Sequence, residues 1–252
     1  FNWTYDVTSP TMTITSTTSG VTDGSTTNDA TIALTFTSNE ATADFAAGDI
    51  TVSNGAISGF STVSSTVYTA TFTPDGDGAC TIDVAANAFT DAGSNGNQAA
   101  TQFNWTYDGT APTLNTISLV SNNATTTLAK ANDIVTLQFT SVETIQTPTV
   151  VFKSDGVAVQ DSSITYENAS GNIWTAKYTV DSGDSDGAVT YAIDFTDLYG
   201  NAGTQVTSGH SSGVTVDVTA PTLTITADEV NDGDRTNDSS LSLTFTSSES
   251  TV

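Results

Sequence analysis

The sequence predicts an all-β chain built from tandem β-sandwich domains. Three observations carry this. Apolar and polar residues alternate with period 2 over short runs, as in Thr11-Met12-Thr13-Ile14-Thr15 and Val67-Tyr68-Thr69-Ala70-Thr71-Phe72. Clusters of Gly, Asn and Asp separate these runs, and no stretch holds a helical period over three turns. Finally, one segment recurs at a spacing that suits a small domain.

The repeat sets the organisation. Phe1-Asn2-Trp3-Thr4-Tyr5-Asp6 returns unchanged as Phe103-Asn104-Trp105-Thr106-Tyr107-Asp108. Thr8-Ser9-Pro10-Thr11, Thr110-Ala111-Pro112-Thr113 and Thr219-Ala220-Pro221-Thr222 follow the same scheme. Pro10 and Pro112 lie 102 residues apart, Pro112 and Pro221 109. Leu34-Thr35-Phe36-Thr37-Ser38-Asn39-Glu40 matches Leu243-Thr244-Phe245-Thr246-Ser247-Ser248-Glu249 closely. The middle Leu137-Gln138-Phe139-Thr140-Ser141-Val142-Glu143 matches more loosely. The units thus alternate in type. The expected division is 1–6, the last strand of a preceding domain; 7–108, type one; 109–217, type two; and 218–252, the first two strands of a third domain of type one. The chain reads as a window on a longer repeating protein, or else as a filament subunit completed by strand addition from neighbours.

Within the first full unit, strands are expected over 10–18, 29–38, 49–57, 60–65, 67–73, 79–86 and 100–107. Thr suits the solvent face of each strand, being β-branched and polar. Asp23-Gly24-Ser25, Ser53-Asn54-Gly55, Asp75-Gly76-Asp77-Gly78 and Gly93-Ser94-Asn95-Gly96-Asn97 supply turns. In the second unit, Trp174-Thr175-Ala176-Lys177-Tyr178 stands for the fifth strand. About seven strands in about 100 residues is the signature of an immunoglobulin-like (Ig-like) sandwich, repeated here into an elongated rod.

Tyr107-Asp108-Gly109-Thr110-Ala111-Pro112, Phe139-Thr140-Ser141-Val142-Glu143 and Phe195-Thr196-Asp197-Leu198-Tyr199-Gly200-Asn201 resemble tandem bacterial Ig-like domains. Such domains build large surface adhesins, biofilm-associated proteins and related fibres. The resemblance spans essentially the whole chain. It implies an extracellular, cell-surface rod of domains, often stabilised by calcium.

Charge excludes several functions. Lys and Arg number 4 against 28 Asp and Glu, a formal net charge of -24. Four cations cannot neutralise many phosphates, so nucleic acid is not an expected partner. No apolar run approaches the roughly 18 residues of a membrane span. Disorder is not expected either, because the apolar residues are patterned β-branched and aromatic ones. No nucleophile elbow or base partner accompanies the many Ser and Thr residues, so no enzyme activity is expected.

Strand order gives the carboxylates an address. In a seven-stranded sandwich the first and fifth turns lie at one end, where the last strand also finishes. The second and sixth turns lie at the other end. One seam thus gathers Asp23, Asp29, Asp75, Asp77 and Asp108 with Glu143, Asp197 and Asn201. A second gathers Asp133, Asp181, Asp184, Asp186 and Asp217 with Glu249. A third keeps Asp6, Glu40, Asp91, Asn95 and Asn97. Clustered carboxylates repel, and a hard divalent ion relieves that repulsion. Calcium takes 6–8 oxygens from flexible loops, whereas zinc is poorly served by one His and one Cys. The best candidates are Asp6, Glu40, Asp91, Asp108, Glu143, Asp197, Asn201, Asp217 and Glu249. Asp23, Asp29, Asp75, Asp77, Asp181, Asp184 and Asp186 are weaker, because Asp-Gly turns also arise for backbone reasons alone.

Other residues take plainer roles. Cys80 falls in the sixth strand as a core thiol, and as a single Cys it forms no intrachain disulfide. Trp3, Trp105 and Trp174 are expected to pack inside rather than form a carbohydrate platform. His210 is expected on the surface. Asn2, Asn104, Asn123, Asn168 and Asn237 begin glycosylation sequons, Asn123 and Asn168 being the better placed. The expected partners are neighbouring Ig-like domains, further copies of the chain, and glycans on Ser, Thr or Asn.

Overall fold

The computed structural model describes residues 1–2, 4–209 and 213–249, so the expectations for Trp3 and His210 fall outside the described residues. The chain forms two compact units. One comprises 1–115, 141–149 and 194–205; the other comprises 116–140, 150–193 and 206–252.

The first unit contains β1 (Met12–Ser16), β2 (Thr26–Thr27), β3 (Ile32–Ser38), a 3₁₀ turn (Ala47–Asp49), β4 (Ile50–Ser53), β5 (Gly55–Thr62), β6 (Val67–Pro74), β7 (Gly78–Val84) and β8 (Phe103–Tyr107). One sheet runs β1-β3-β6-β5 and the other β2-β8-β7-β4. The alternation read from the sequence decides the register. Ile32, Leu34 and Phe36 of β3 point inward opposite Phe72, Ala70 and Tyr68 of β6. Ile82, Cys80, Phe103 and Trp105 close the core from the other sheet, all buried. Each large apolar side chain so buried contributes about 1.5–3 kcal/mol. A one-residue slip would turn the whole set to water.

The expected strand over 49–57 is two strands in two sheets. β4 pairs with β7, whereas β5 pairs with β6. The chain changes sheet at Asn54, whose φ is 53°. Gly55 permits this, since a Cβ there would lie 2.3 Å from the Phe72 ring. The short β2, parallel to β8, was not expected. Two residues carry too little periodicity to be seen.

The second sandwich contains β9 (Leu114–Ser121), β10 (Leu128–Ala129), β11 (Ile134–Ser141), β12 (Thr149–Ser154), β13 (Val157–Ala158), β14 (Thr165–Ser170), β15 (Ile173–Thr179), β16 (Gly187–Asp194) and β17 (Thr215–Val216). Its sheets are β14-β15-β11-β9 and β10-β17-β16-β12-β13. Leu137, Phe139, Phe152, Tyr178 and Ile193 fill its core. Trp174 is buried on β15, where the fifth strand was expected. β18 (Leu223–Ala227) and β19 (Leu243–Ser247) follow, paired antiparallel in the register of β1 and β3. Leu223, Ile225, Leu243 and Phe245 of this pair are exposed.

Candidate metal centre

Three kinds of local structure bring carboxylates together, and they do so twice. The first is a connector with an Asp-x-Thr turn, which at Asp108 and Asp217 directly follows β8 and β17. In Asp6-Val7-Thr8, Asp108-Gly109-Thr110 and Asp217-Val218-Thr219, the Asp Oδ1 accepts the amide of the Thr two residues on, at 3.0, 3.3 and 3.2 Å. This turn fixes each Asp side chain against its own backbone. The second is a Glu two residues beyond the end of a strand, Glu40 after β3 and Glu143 after β11.

The third is a tight loop with an Asp at its start and an Asn four residues on. Asp91 Oδ1 accepts the Asn95 amide at 2.9 Å, and its Oδ2 accepts Asn95 Nδ2 at 2.9 Å. Asp197 does the same with Asn201, at 2.9 and 2.7 Å, and also accepts the amides of Tyr199 and Gly200 at 2.8 and 2.7 Å. Isolated bridges Thr42↔Asp91 and Ile145↔Asp197 place each loop beside the segment that carries the Glu.

The outcome is two equivalent triads, Asp6–Glu40–Asp91 and Asp108–Glu143–Asp197. In each, one oxygen per carboxylate lies within 4.8 Å of the other two. Asp91 and Asp197 are buried; Glu40, Glu143 and Asp108 are half-buried. Like charges this close, partly withdrawn from water, disfavour full ionisation. Burial raises the Glu143 carboxyl above its ordinary value, and Asp108, Asp197 and Asp77 add to the rise. Burial, then Asp6 and Asp91, does the same to Glu40. Asp91 and Asp197 move the other way. The Asn95 side chain is the main cause of the lowering at Asp91. At Asp197, burial pushes up, but Asn201 and the loop amides outweigh it.

The loop hydrogen bonds therefore favour the charged form of the Asp, whereas burial and the neighbouring carboxylates disfavour the charged form of the Glu. Glu40 Oε1 is buried and has no hydrogen-bond partner among the described residues. An unpaired buried acceptor is costly, and a cation would satisfy it. Oxygen donors on a turn, a loop and a strand end suit a hard ion such as calcium.

The remaining candidates are placed differently. Asn201 braces the connector, donating Nδ2 to the Asp108 carbonyl at 2.9 Å, as Asn95 does to the Asp6 carbonyl at 3.3 Å. Asn97 is buried and holds its loop through Phe89, Ala85 and Gln98. Asp23 accepts the amide and side chain of Asn104. Asp29 accepts the Thr27 hydroxyl, and Asp75 is exposed. Asp133 accepts from Asn123 and Lys130, Asp181 from the Gly183 amide, and Asp184 from the amides of Gln160 and Asp181. Asp217 and Glu249 line one cavity of about 480 Å³ with Pro221 and Asn123, without a third carboxylate among the described residues. Asp77 and Asp186 both grip a connector, a role that sequence reasoning missed. The signal was available: Asp77 to Thr110 and Asp186 to Thr219 are both separations of 33 residues.

Two sandwiches whose strands pair alike apart from the added β13, together with the strand pair that follows, define the chain as tandem Ig-like β-sandwich domains. Residues 6–107 match the family model described as a bacterial Ig-like domain. No curated protein matches the chain. Among solved structures, the I-band fragment I67-I69 from titin is 11% identical, covering 96% of this chain and 77% of that one, with a TM-score of 0.42. The structure of Yersinia pseudotuberculosis InvD is 16% identical over 88% of this chain and 64% of that one, with a TM-score of 0.31. The Ig-like fold is typically a non-enzymatic structural module. Among the described residues, no helix is long and apolar enough to cross a membrane.

Proposed function

We propose that the chain is a structural repeat segment of a long extracellular fibre or adhesin stalk, with calcium bound at each carboxylate triad. The observation that supports the metal is the recurrence of one arrangement at Asp6–Glu40–Asp91 and Asp108–Glu143–Asp197. Acidic turns placed only for solubility would not converge twice on the same three positions. Bound calcium joins the connector, the strand end and the loop, replacing mutual repulsion by shared coordination. It stiffens the chain at these points and stabilises the folded state by mass action.

A carbohydrate platform draws no support from Trp105 or Trp174, which are 2% and 7% exposed. Of the sequons, Asn168 is exposed on β14, while the Asn123 amide is held by Asp133 at 2.8 Å. Asn168 is the better glycan site of the two. The test of the cation reading is thermal unfolding of the full chain in excess Ca²⁺ and in EDTA, with Ca²⁺ titration calorimetry. A higher Tm in Ca²⁺, lost with Glu40→Gln and Glu143→Gln together, is expected. Superimposed melting curves with no binding heat would overturn it.

A further inference from the structure

We propose that Asp77 and Asp186 are positioning residues, each fixing the connector that leaves its own sandwich, independently of any cation. They sit in the turns leading into β7 and β16, in Asp77-Gly78-Ala79 and Asp186-Gly187-Ala188. Asp77 Oδ1 accepts the Gly109 amide at 2.6 Å, and its Oδ2 accepts the Thr110 hydroxyl. Asp186 Oδ1 accepts the Val218 amide at 2.6 Å, and its Oδ2 accepts the Thr219 hydroxyl. The two grips use the same atoms at the same separation in sandwiches whose sequences otherwise differ.

The gripped peptide also matters. The Gly109 amide belongs to the bond whose carbonyl is that of Asp108. That carbonyl accepts Asn201 Nδ2 at 2.9 Å. One peptide plane is therefore held on its N–H side by Asp77 and on its C=O side by Asn201. The ψ torsion of Asp108, which joins that plane to its Cα, orients the Asp108 side chain, a member of the triad. Asp77 reaches no triad oxygen through these bonds. It acts on the backbone that presents one. Both carboxylates lie below their ordinary range because of the Thr hydroxyl first and the backbone amide second, which accords with a bond to the charged form.

The test is residue-resolved amide hydrogen exchange of the full chain in EDTA, so that the outcome is independent of calcium. The Gly109 and Val218 amides should be protected. Asp77→Ala should speed exchange at Gly109 by about tenfold or more, as losing a bond to a charged acceptor implies, and leave Val218 unchanged. Asp186→Ala should do the reverse. Thr110→Val, which keeps every charge, should give a smaller rise at Gly109. Asp75→Asn, in the same turn as Asp77, should change neither. Unprotected Gly109 and Val218 amides in the parent chain would sink the proposal. So would variants that leave them protected, or that speed exchange equally throughout β7 and β16 by loosening the whole sandwich.

Discussion

The same sequence motif occurs in two environments, and burial rather than composition should decide what each copy contributes. Leu34-Thr35-Phe36-Thr37-Ser38 lies in β3 and Leu243-Thr244-Phe245-Thr246-Ser247 in β19. Phe36 is fully buried, its ring 5.8 Å from that of Phe45 and its backbone paired with Tyr68. Phe245 is 60% exposed. Phe36→Ala removes a ring from a close-packed interior and leaves a cavity, a loss of about 3–5 kcal/mol. That is a large part of the roughly 5–15 kcal/mol available to a domain. Phe245→Ala removes a ring already in water and should shift stability by less than about 0.5 kcal/mol. Cys80 gives a specific probe. It is the single Cys of the chain, fully buried in the first sandwich, and a thiol reagent reaches it when that sandwich opens. Labelling against urea gives the midpoint. With a slope of about 1–2 kcal/mol per molar, Phe36→Ala should lower it by about 1.5 M or more. Phe245→Ala should leave it in place. A Phe36→Ala shift under about 0.5 M, or equal shifts for both variants, would refute the assignment of this core.

Further outcomes follow from the site. Glu40 and Glu143 have folded-state values raised above 4.5; a raised acid stabilises the fold below its unfolded value and loses that contribution as pH rises through the folded one. Melting in EDTA should therefore worsen as pH rises above about 4.5, and Glu143→Gln should flatten that trend; an unchanged slope counts against the triad. Asp91, Asp197, Asp77 and Asp186 are lowered from 3.8, so their contributions are present above that value and fade as pH falls through the lowered ones, visible as acid unfolding below about pH 4. Asn97→Ala removes three hydrogen bonds of a buried side chain and should lower the thermal midpoint with Ca²⁺ affinity retained; loss of affinity without loss of stability would make Asn97 a ligand instead.

Much of this was legible in the sequence because period 2 and the turn residues are local signals. β3, β6, β7 and β15 fall where alternation placed them, for their apolar faces alone decide register. What escaped depended on tertiary context. β2 takes its existence from β8, which its own two residues do not reveal. The sheet change at Asn54–Gly55 depends on Phe72 lying beneath it. The carboxylates show the same division. Strand order grouped many of them together, and of those groups the structure brings together Asp6, Glu40 and Asp91, and Asp108, Glu143 and Asp197. Which of them meet one another, and which spend their oxygens on amides and hydroxyls, depends on donors up to 93 residues away, as between Asn201 and Asp108.

That distinction explains how one chain carries 28 acidic residues with four cations. Asp23, Asp77, Asp184 and Asp186 each accept two hydrogen bonds from backbone or side-chain donors. Such a carboxylate needs no counter-ion to be stable, because the turn supplies the positive ends of its dipoles. Glu40 and Glu143 stand apart. Each follows a strand end, is partly withdrawn from water, and lies beside two other carboxylates. A Lys at these places would neutralise one charge and make a fixed pair. A divalent ion can serve three carboxylates at once and can be withdrawn. Among the described residues, two carboxylate groups remain that meet one another, Asp6–Glu40–Asp91 and Asp108–Glu143–Asp197, and it is there that the proposed cation would act.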